Sequence, residues 1–303
     1  MSIMKPSDLR YLIKNPDSIS NLTFEEILPI LQNARSILTR EKLLIELEID
    51  INDEEIYIIG DIHGNLNSLT ELMEIINKNN PKHVIFLGDI VDRGPKQLEC
   101  LLIVLSLKIL EPERYILLKG NHETLEMNQY YGFYQVFMEK FNDQVKFNQL
   151  LAVYDVLPFC VIVNNLILCL HGGIPENQEI LKDMKGLIRE DLDETTFNKI
   201  SEDLFQIMWN DPKPALRGFE QSFRGGDIKF FGEDVFNEFM KYNNLDYLIR
   251  AHECFMEGYR WFFKGRLLSI FSSANYRGFD YSNPASYAII KNNKVFPHNL
   301  EVS

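Results

Sequence analysis

The sequence predicts an α/β chain of two mixed β-sheets packed face to face, with helices on the outside. Three observations carry that expectation. Short continuous apolar runs, each ending in a turn that bears a histidine or an acid, recur between Ile56 and His252, and runs of that length suit buried strands. Segments with apolar residues at helical spacing separate the first of them, which gives the strand, turn, helix, strand order of a parallel-rich sheet. From Gly258 onward the chain reads as short strands.

Taken in order, Ser7 to Lys14 reads as a short helix stopped by Asn15-Pro16,. Thr23 with Glu26 forms a capping-box signature, and Ile27, Leu31, Ala34 and Leu38 recur at helical spacing behind it,. This helical segment, residues 1–48, is expected to pack on the rest of one domain spanning 1–303, because no Pro/Gly/Ser-rich linker interrupts the chain,. Ile45 to Ile51 alternates apolar and acidic residues as a half-exposed strand would. Asn67 to Lys78 and Gln97 to Leu110 read as helices, ended at Pro81 and Pro112,. Glu123 to Leu150 reads as aromatic-rich helix, and its stripe from Tyr130 to Phe147 is assigned to the core. Helical pieces between Glu179 and Met208, a Trp209-Asn210-Asp211-Pro212 turn and a helix from Glu233 to Tyr242 follow. Leu267 to Phe271 and Ser286 to Ile290 read as strands.

A chain of 303 residues buries a substantial core,. Its net charge of -13 excludes a general nucleic-acid binder, which needs a basic face to replace counterions,. No apolar run reaches the ~18 residues of a membrane span, and Met1 to Arg10 lacks the pattern of a signal peptide,. A soluble cytoplasmic protein with neither nucleic-acid nor membrane partners is expected. Cys100, Cys160, Cys169 and Cys254 have no CxxC spacing and are read as buried free thiols,.

The chemistry lies in the turns. Val84 to Leu87 leads into Gly88-Asp89-Ile90-Val91-Asp92-Arg93-Gly94, so two carboxylates and a guanidinium stand just beyond a strand end, where an acid is well held,. Ile56 to Ile59 leads into Gly60-Asp61-Ile62-His63-Gly64, and Tyr115 to Leu118 into Gly120-Asn121-His122-Glu123. Leu166 to Leu170 leads into His171-Gly172-Gly173, and Tyr247 to Ile249 into Arg250-Ala251-His252. Of six histidines, His63, His122, His171 and His252 sit in these turns. With Asp61, Asp89, Asp92 and Asn121 they offer nitrogen and oxygen without thiolate, a donor set for manganese, iron or zinc. That is more than one ion needs, and enough for two.

GDIHG, GDIVDRG, GNHE, HGG and RAH, in this order, resemble the metallophosphoesterases of the serine/threonine phosphoprotein phosphatase family, the type 1 and 2A group. The resemblance runs from about Leu22 to Ile290 and includes Tyr131-Gly132-Phe133-Tyr134, Trp209-x-Asp211-Pro212, Arg224-Gly225 ahead of Phe231-Gly232, and Ser273-Ala274-Asn275-Tyr276. It implies a metallophosphoesterase-type β-sandwich of two mixed sheets flanked by helices. It also implies hydrolysis of phosphoserine and phosphothreonine in phosphorylated proteins by direct attack of a hydroxide bridging two divalent metal ions, manganese in vitro, with iron or zinc as alternatives. By position, Asp61 and His63 would bind the first metal, Asp89 would bridge, and Asn121, His171 and His252 would complete the second. His122 would protonate the leaving oxygen, held by Asp92, while Arg93 and Arg224 clamp the phosphate. Asn121, Tyr131 and Tyr276 would also border the substrate.

Other readings stay open at this stage. His122 could be only a structural partner of Asp92; Arg217 is the alternative to Arg224; Asp211 could assist the site or merely stop a helix. Trp209 is assigned to packing, Glu123 to its own loop, and His83 and His298 to the surface. A dinucleoside polyphosphate or other small-molecule phosphoesterase would share GDxHG, GDxVxRG and GNHE, and a metal-holding binding module would lack the acid or an arginine. Ala274 stands where the family usually has proline, and Arg277 where it often has cysteine, which bears on toxin sensitivity and peptide preference. The sequence names no regulatory subunit.

Overall fold

In the computed structural model, which describes residues 5–50, 53–276, 278 and 282–300, the apolar runs form the strands and the periodic segments the helices. Helices α1 (Pro6–Lys14) and α2 (Phe24–Leu38) open the chain. The Glu26 carboxylate accepts from the Thr23 N–H at 2.8 Å and from its hydroxyl at 3.0 Å, satisfying donors that a helix start leaves bare,. Strand β1 (Leu44–Leu47) is shorter than the alternation suggested, and Ile51 lies outside the described residues.

Strands β2 (Ile56–Ile59), β3 (His83–Phe86) and β4 (Tyr115–Leu117) run parallel, joined by α3 (Leu66–Asn79) and α4 (Gln97–Leu110). Next come α5 (Leu125–Tyr131), α6 (Phe133–Phe141) and α7 (Gln144–Tyr154). The aromatic segment is therefore three helices, broken where Gly132 (φ 108°) and Asn142 (φ 45°) turn left-handed,. Its stripe divides: Phe133, Phe137 and Phe147 are buried, whereas Tyr130 is 80% exposed.

Strands β5 (Cys160–Val163) and β6 (Ile167–Leu170) form a hairpin. Helices α8 (Ile180–Met184) and α9 (Glu194–Trp209) precede three short strands, β7 (Asp211–Pro212), β8 (Phe219–Gln221) and β9 (Lys229–Phe231), and α10 (Glu233–Tyr242) follows. The chain ends in β10 (Tyr247–Arg250), β11 (Tyr259–Phe262), β12 (Leu267–Ile270), β13 (Ser286–Lys291) and β14 (Lys294–Asn299).

One sheet has the order β14-β13-β2-β3-β4, the other β1-β5-β6-β10-β12-β11. Side chains alternate between two buried faces, which is why these strands read as unbroken apolar runs. Ile56, Ile58 and Ile85 meet Val161, Cys169, Ile249 and Leu268 between the sheets. Tyr57, Ile59, Val84 and Phe86 face outward, under α1 to α4, α6 and α7. Leu168, Leu170, Leu248 and Leu267 face the other way, under α8 to α10. The N-terminal helices thus share their core with α4 and α7.

Two expectations need correcting. A third, three-stranded sheet, β7-β9-β8, accompanies the two main ones. Asp211-Pro212 belongs to it, paired parallel with Phe230-Phe231, and is not a turn; proline fits there because a two-residue edge strand asks little of its missing N–H. Among the described residues, no helix is long and apolar enough to cross a membrane.

Candidate metal centre

The loops after β2, β3 and β4 meet those after β6, β10 and β12. Hydrogen bonds join the two sets of loops directly, among them His171 Nδ1 to the Leu87 carbonyl at 2.9 Å and the His252 N–H to Asp61 Oδ1 at 2.9 Å. The turns are tight enough to need unusual backbone. His63, Asp89, Asp92, Arg93 and His252 all have φ between 46° and 71°, a left-handed region that side chains enter only when the surroundings hold them there. Gly88 adopts φ 107°, and a Cβ on it would lie 2.3 Å from the Gly120 nitrogen.

At the centre is Asp89, fully buried. Its Oδ1 accepts from the His122 N–H at 2.9 Å. Its Oδ2 makes no hydrogen bond, although Nε2 of His171, His63 and His122 stand 3.4, 3.7 and 3.9 Å away. Asp61 Oδ2, 3.4 Å from His63 Nε2, is likewise unpaired. Burial works against ionising Asp89, but the imidazoles of His171, His122 and His63 hold its carboxyl well below the usual range. Burial also lowers His171, but the carboxylates of Asp89, Asp61 and Glu123 together outweigh it and raise that imidazole to about 9. Burial, Arg224 and His171 push the His252 imidazole well below its ordinary value.

Donor atoms of His63, Asp89 and His122 lie within 4.8 Å of one another, as do those of Asp89, His171 and His252. Asp89 belongs to both groups. Asn121 Oδ1 joins the second, 2.9 Å from His171 Nε2 and 2.8 Å from His252 Nδ1. His63 and His171 turn Nδ1 to backbone carbonyls, of Val91 and Leu87, which fixes Nε2 as the free ligand atom,. Buried carboxylate oxygens without donors, ringed by imidazole nitrogens at more than hydrogen-bond distance, fit divalent cations.

Beside this cluster opens a cavity of about 540 Å³, lined by His122, Arg93, Tyr131, Arg224 and Tyr276 among others. His122 Nδ1 bonds to Asp92 Oδ2 at 2.7 Å. The Arg93 guanidinium lies 3.9 Å over the Tyr131 ring, and Tyr276 stacks on His63 at 5.1 Å,. Every site residue singled out in the sequence therefore reaches this one place.

Some assignments change. Trp209 is at the site as well as packed, its ring edge-on to His252 at 5.6 Å. Asp211 is buried and shares its carboxylate between Arg224 Nε at 2.9 Å and Arg250 at 2.8 Å. Arg250, with no exposure, also reaches Glu253 and the Gly172 and Asn210 carbonyls. Glu123 holds the loop, accepting from the N–H groups of Asp89, Ile90 and Gly120 at 2.8 to 3.0 Å. Cys100, Cys160 and Cys169 are buried free thiols, but Cys254 is half-buried and lines the cavity. His298 is exposed, whereas His83 is half-buried against the Glu113 carbonyl. Arg277 lies outside the described residues. Sequence reading gave no weight to Asn128, which bonds both Asp92 and the His122 carbonyl; a buried polar residue in a short helix beside GNHE was its only signal.

Residues 55–256 match the family model described as calcineurin-like phosphoesterase. Among solved structures, a protein serine/threonine phosphatase from Saccharomyces cerevisiae is similar at a TM-score of 0.79 and 28% identity, over 93% of this chain and 91% of that one. A cold-active protein-tyrosine phosphatase of the psychrophile Shewanella sp. is similar at a TM-score of 0.62 and 16% identity, over 88% and 83%, a likeness of fold alone. The expected metallophosphoesterase fold is borne out.

Proposed function

The chain belongs to the calcineurin-like phosphoesterase family, and from that premise we propose that it is a metal-dependent protein serine/threonine phosphatase. As a phosphoesterase of this family it works with divalent metal ions. The likeness to the yeast serine/threonine phosphatase over nearly the whole chain is the observation that carries the protein-substrate part. Phosphorylated proteins are the proposed substrates and the cytoplasm the proposed location.

Asp61, His63 and Asp89 would hold one cation, and Asp89, Asn121, His171 and His252 a second, manganese in vitro. When bound, such cations supply the Lewis acidity that makes water a nucleophile near neutral pH and neutralise phosphoryl charge. The chain's own residues do the rest. Arg93 and Arg224 present planar donors to the phosphoryl oxygens, with Arg93 steadied by the Tyr131 ring and Arg224 by Asp211,. As water adds to phosphorus, the bond to the seryl or threonyl oxygen breaks on the opposite side. His122 Nε2 gives its proton to that oxygen, and Asp92 on Nδ1 keeps the ring oriented,. Tyr131 and Tyr276 border the phosphate.

The test is steady-state hydrolysis of a panel of phosphoserine peptides and dinucleoside polyphosphates with added manganese, alongside metal analysis of the protein. We expect the phosphopeptides to be preferred. A higher kcat/KM on a dinucleotide would overturn the reading in favour of a small-molecule phosphoesterase. His122→Asn should keep both metals and lower kcat on phosphopeptide by ~10² or more, the usual scale of a lost general acid.

A further inference from the structure

We infer that Asn128 is a positioning residue for proton donation, its side-chain amide tying the Asp92 carboxylate to the main chain of His122. The inference rests on the acid role proposed above for His122. Asn128 lies on α5 with no solvent exposure. Its Nδ2 donates to Asp92 Oδ2 at 2.9 Å and to the His122 carbonyl at 2.8 Å. Two acceptors at one end fix the amide's orientation, since the flipped group would set an oxygen against two oxygens. Both amide hydrogens are used, one on each partner of the acid pair.

The oxygen that Asn128 holds is the one that faces His122 Nδ1 at 2.7 Å. The other Asp92 oxygen accepts from the Phe133 N–H at 3.0 Å, at the start of the next helix. Asp92 is thus held at both ends by the helices of the aromatic segment, and Asn128 alone among these donors also grips His122. A small change in either partner would swing Nε2 away from the leaving oxygen, and proton transfer tolerates little misplacement.

Asn128 also carries a cost that packing does not explain. Its Oδ1 is buried without a hydrogen bond, a penalty that leucine of similar size would avoid. What leucine could not supply is the pair of Nδ2 bonds. The same helix reaches the clamp too, since the Tyr131 carbonyl accepts from the Arg93 N–H at 3.1 Å.

The experiment compares Asn128→Leu, Asn128→Asp and His122→Asn in the manganese-loaded protein on two substrates. A phosphoserine peptide expels an alkoxide that needs the proton; p-nitrophenyl phosphate expels a phenolate that leaves without it. Asn128→Leu should lower kcat on the peptide by ~10-fold or more, the scale of lost supporting hydrogen bonds, with KM and metal content unchanged and the nitrophenyl rate nearly kept. Retained nitrophenyl activity also shows that the variant folds. Asn128→Asp should do no better than Asn128→Leu, because its oxygen would face the Asp92 oxygen. Equal losses on both substrates, an unchanged peptide rate, or Asn128→Asp outperforming Asn128→Leu would overturn the inference while a substrate split in His122→Asn left the acid reading standing. No split in His122→Asn would remove the acid reading, and the inference with it.

Discussion

The two sheets contribute to the site by different means. On the five-stranded side, His63, Asp89, Asp92 and Arg93 sit in tight turns of left-handed residues and close backbone contacts, with Asn128, Phe133 and Tyr131 bracing the last two. On the six-stranded side, Arg224 and Asp211 are fixed by paired charge: Asp211 bridges Arg224 and the buried Arg250, and the third sheet carries Asp211 to that spot. Backbone shape dominates on the first side, and paired charge is added to it on the second, where Gly172 and Gly173 are also crowded. The first should fail when a methyl group is added, the second also when a charge is removed.

The largest effect is expected where the two sides join. Asp89→Asn should lose metal and activity together, by about 10³-fold or more, since Lewis-acid catalysis is worth several kcal/mol; metal analysis with phosphatase assay checks this. Arg250→Met removes the partner of Asp211 and Glu253 and should cost about 3–5 kcal/mol in denaturant unfolding, the penalty for stranding buried charge. Gly88→Ala should cost about 3 kcal/mol, summing backbone strain and overpacking against Gly120. The same change at Gly225, where φ is 84° but nothing lies within 4 Å, should cost only about 1 kcal/mol. If the two glycines gave equal losses, crowding would not be what holds the first side. Asp211→Asn frees the Arg224 side chain, itself 32% exposed, and takes one charged partner from the buried Arg250. It should raise KM for phosphopeptide about tenfold with metals retained, about the worth of one charged hydrogen bond.

That division also decides what could be read in advance. The five-stranded side needs glycine at fixed offsets from its acids, so GDIHG, GDIVDRG and GNHE are visible as strings, and the strands, buried on both faces, as apolar runs. Arg93 was legible for this reason. Asp211, Arg250 and Asn128 act through bonds whose partners are unpredictable from spacing. Asp211-Pro212 carries a turn's composition, yet Phe230 and Phe231 pair with it as a strand. Trp209 and Cys254 belong to the cavity only because α9 and the loop after β10 converge there, which no periodicity in either segment records.

The bonds from His171 to Leu87 and from His252 to Asp61 each span more than eighty positions of chain. Neither can form until both halves of the sandwich have docked, and closures over such separations come late and slowly. Upon dilution from urea, helical circular dichroism should therefore return well before manganese-dependent turnover does, making phosphate release a clock for the last event in maturation.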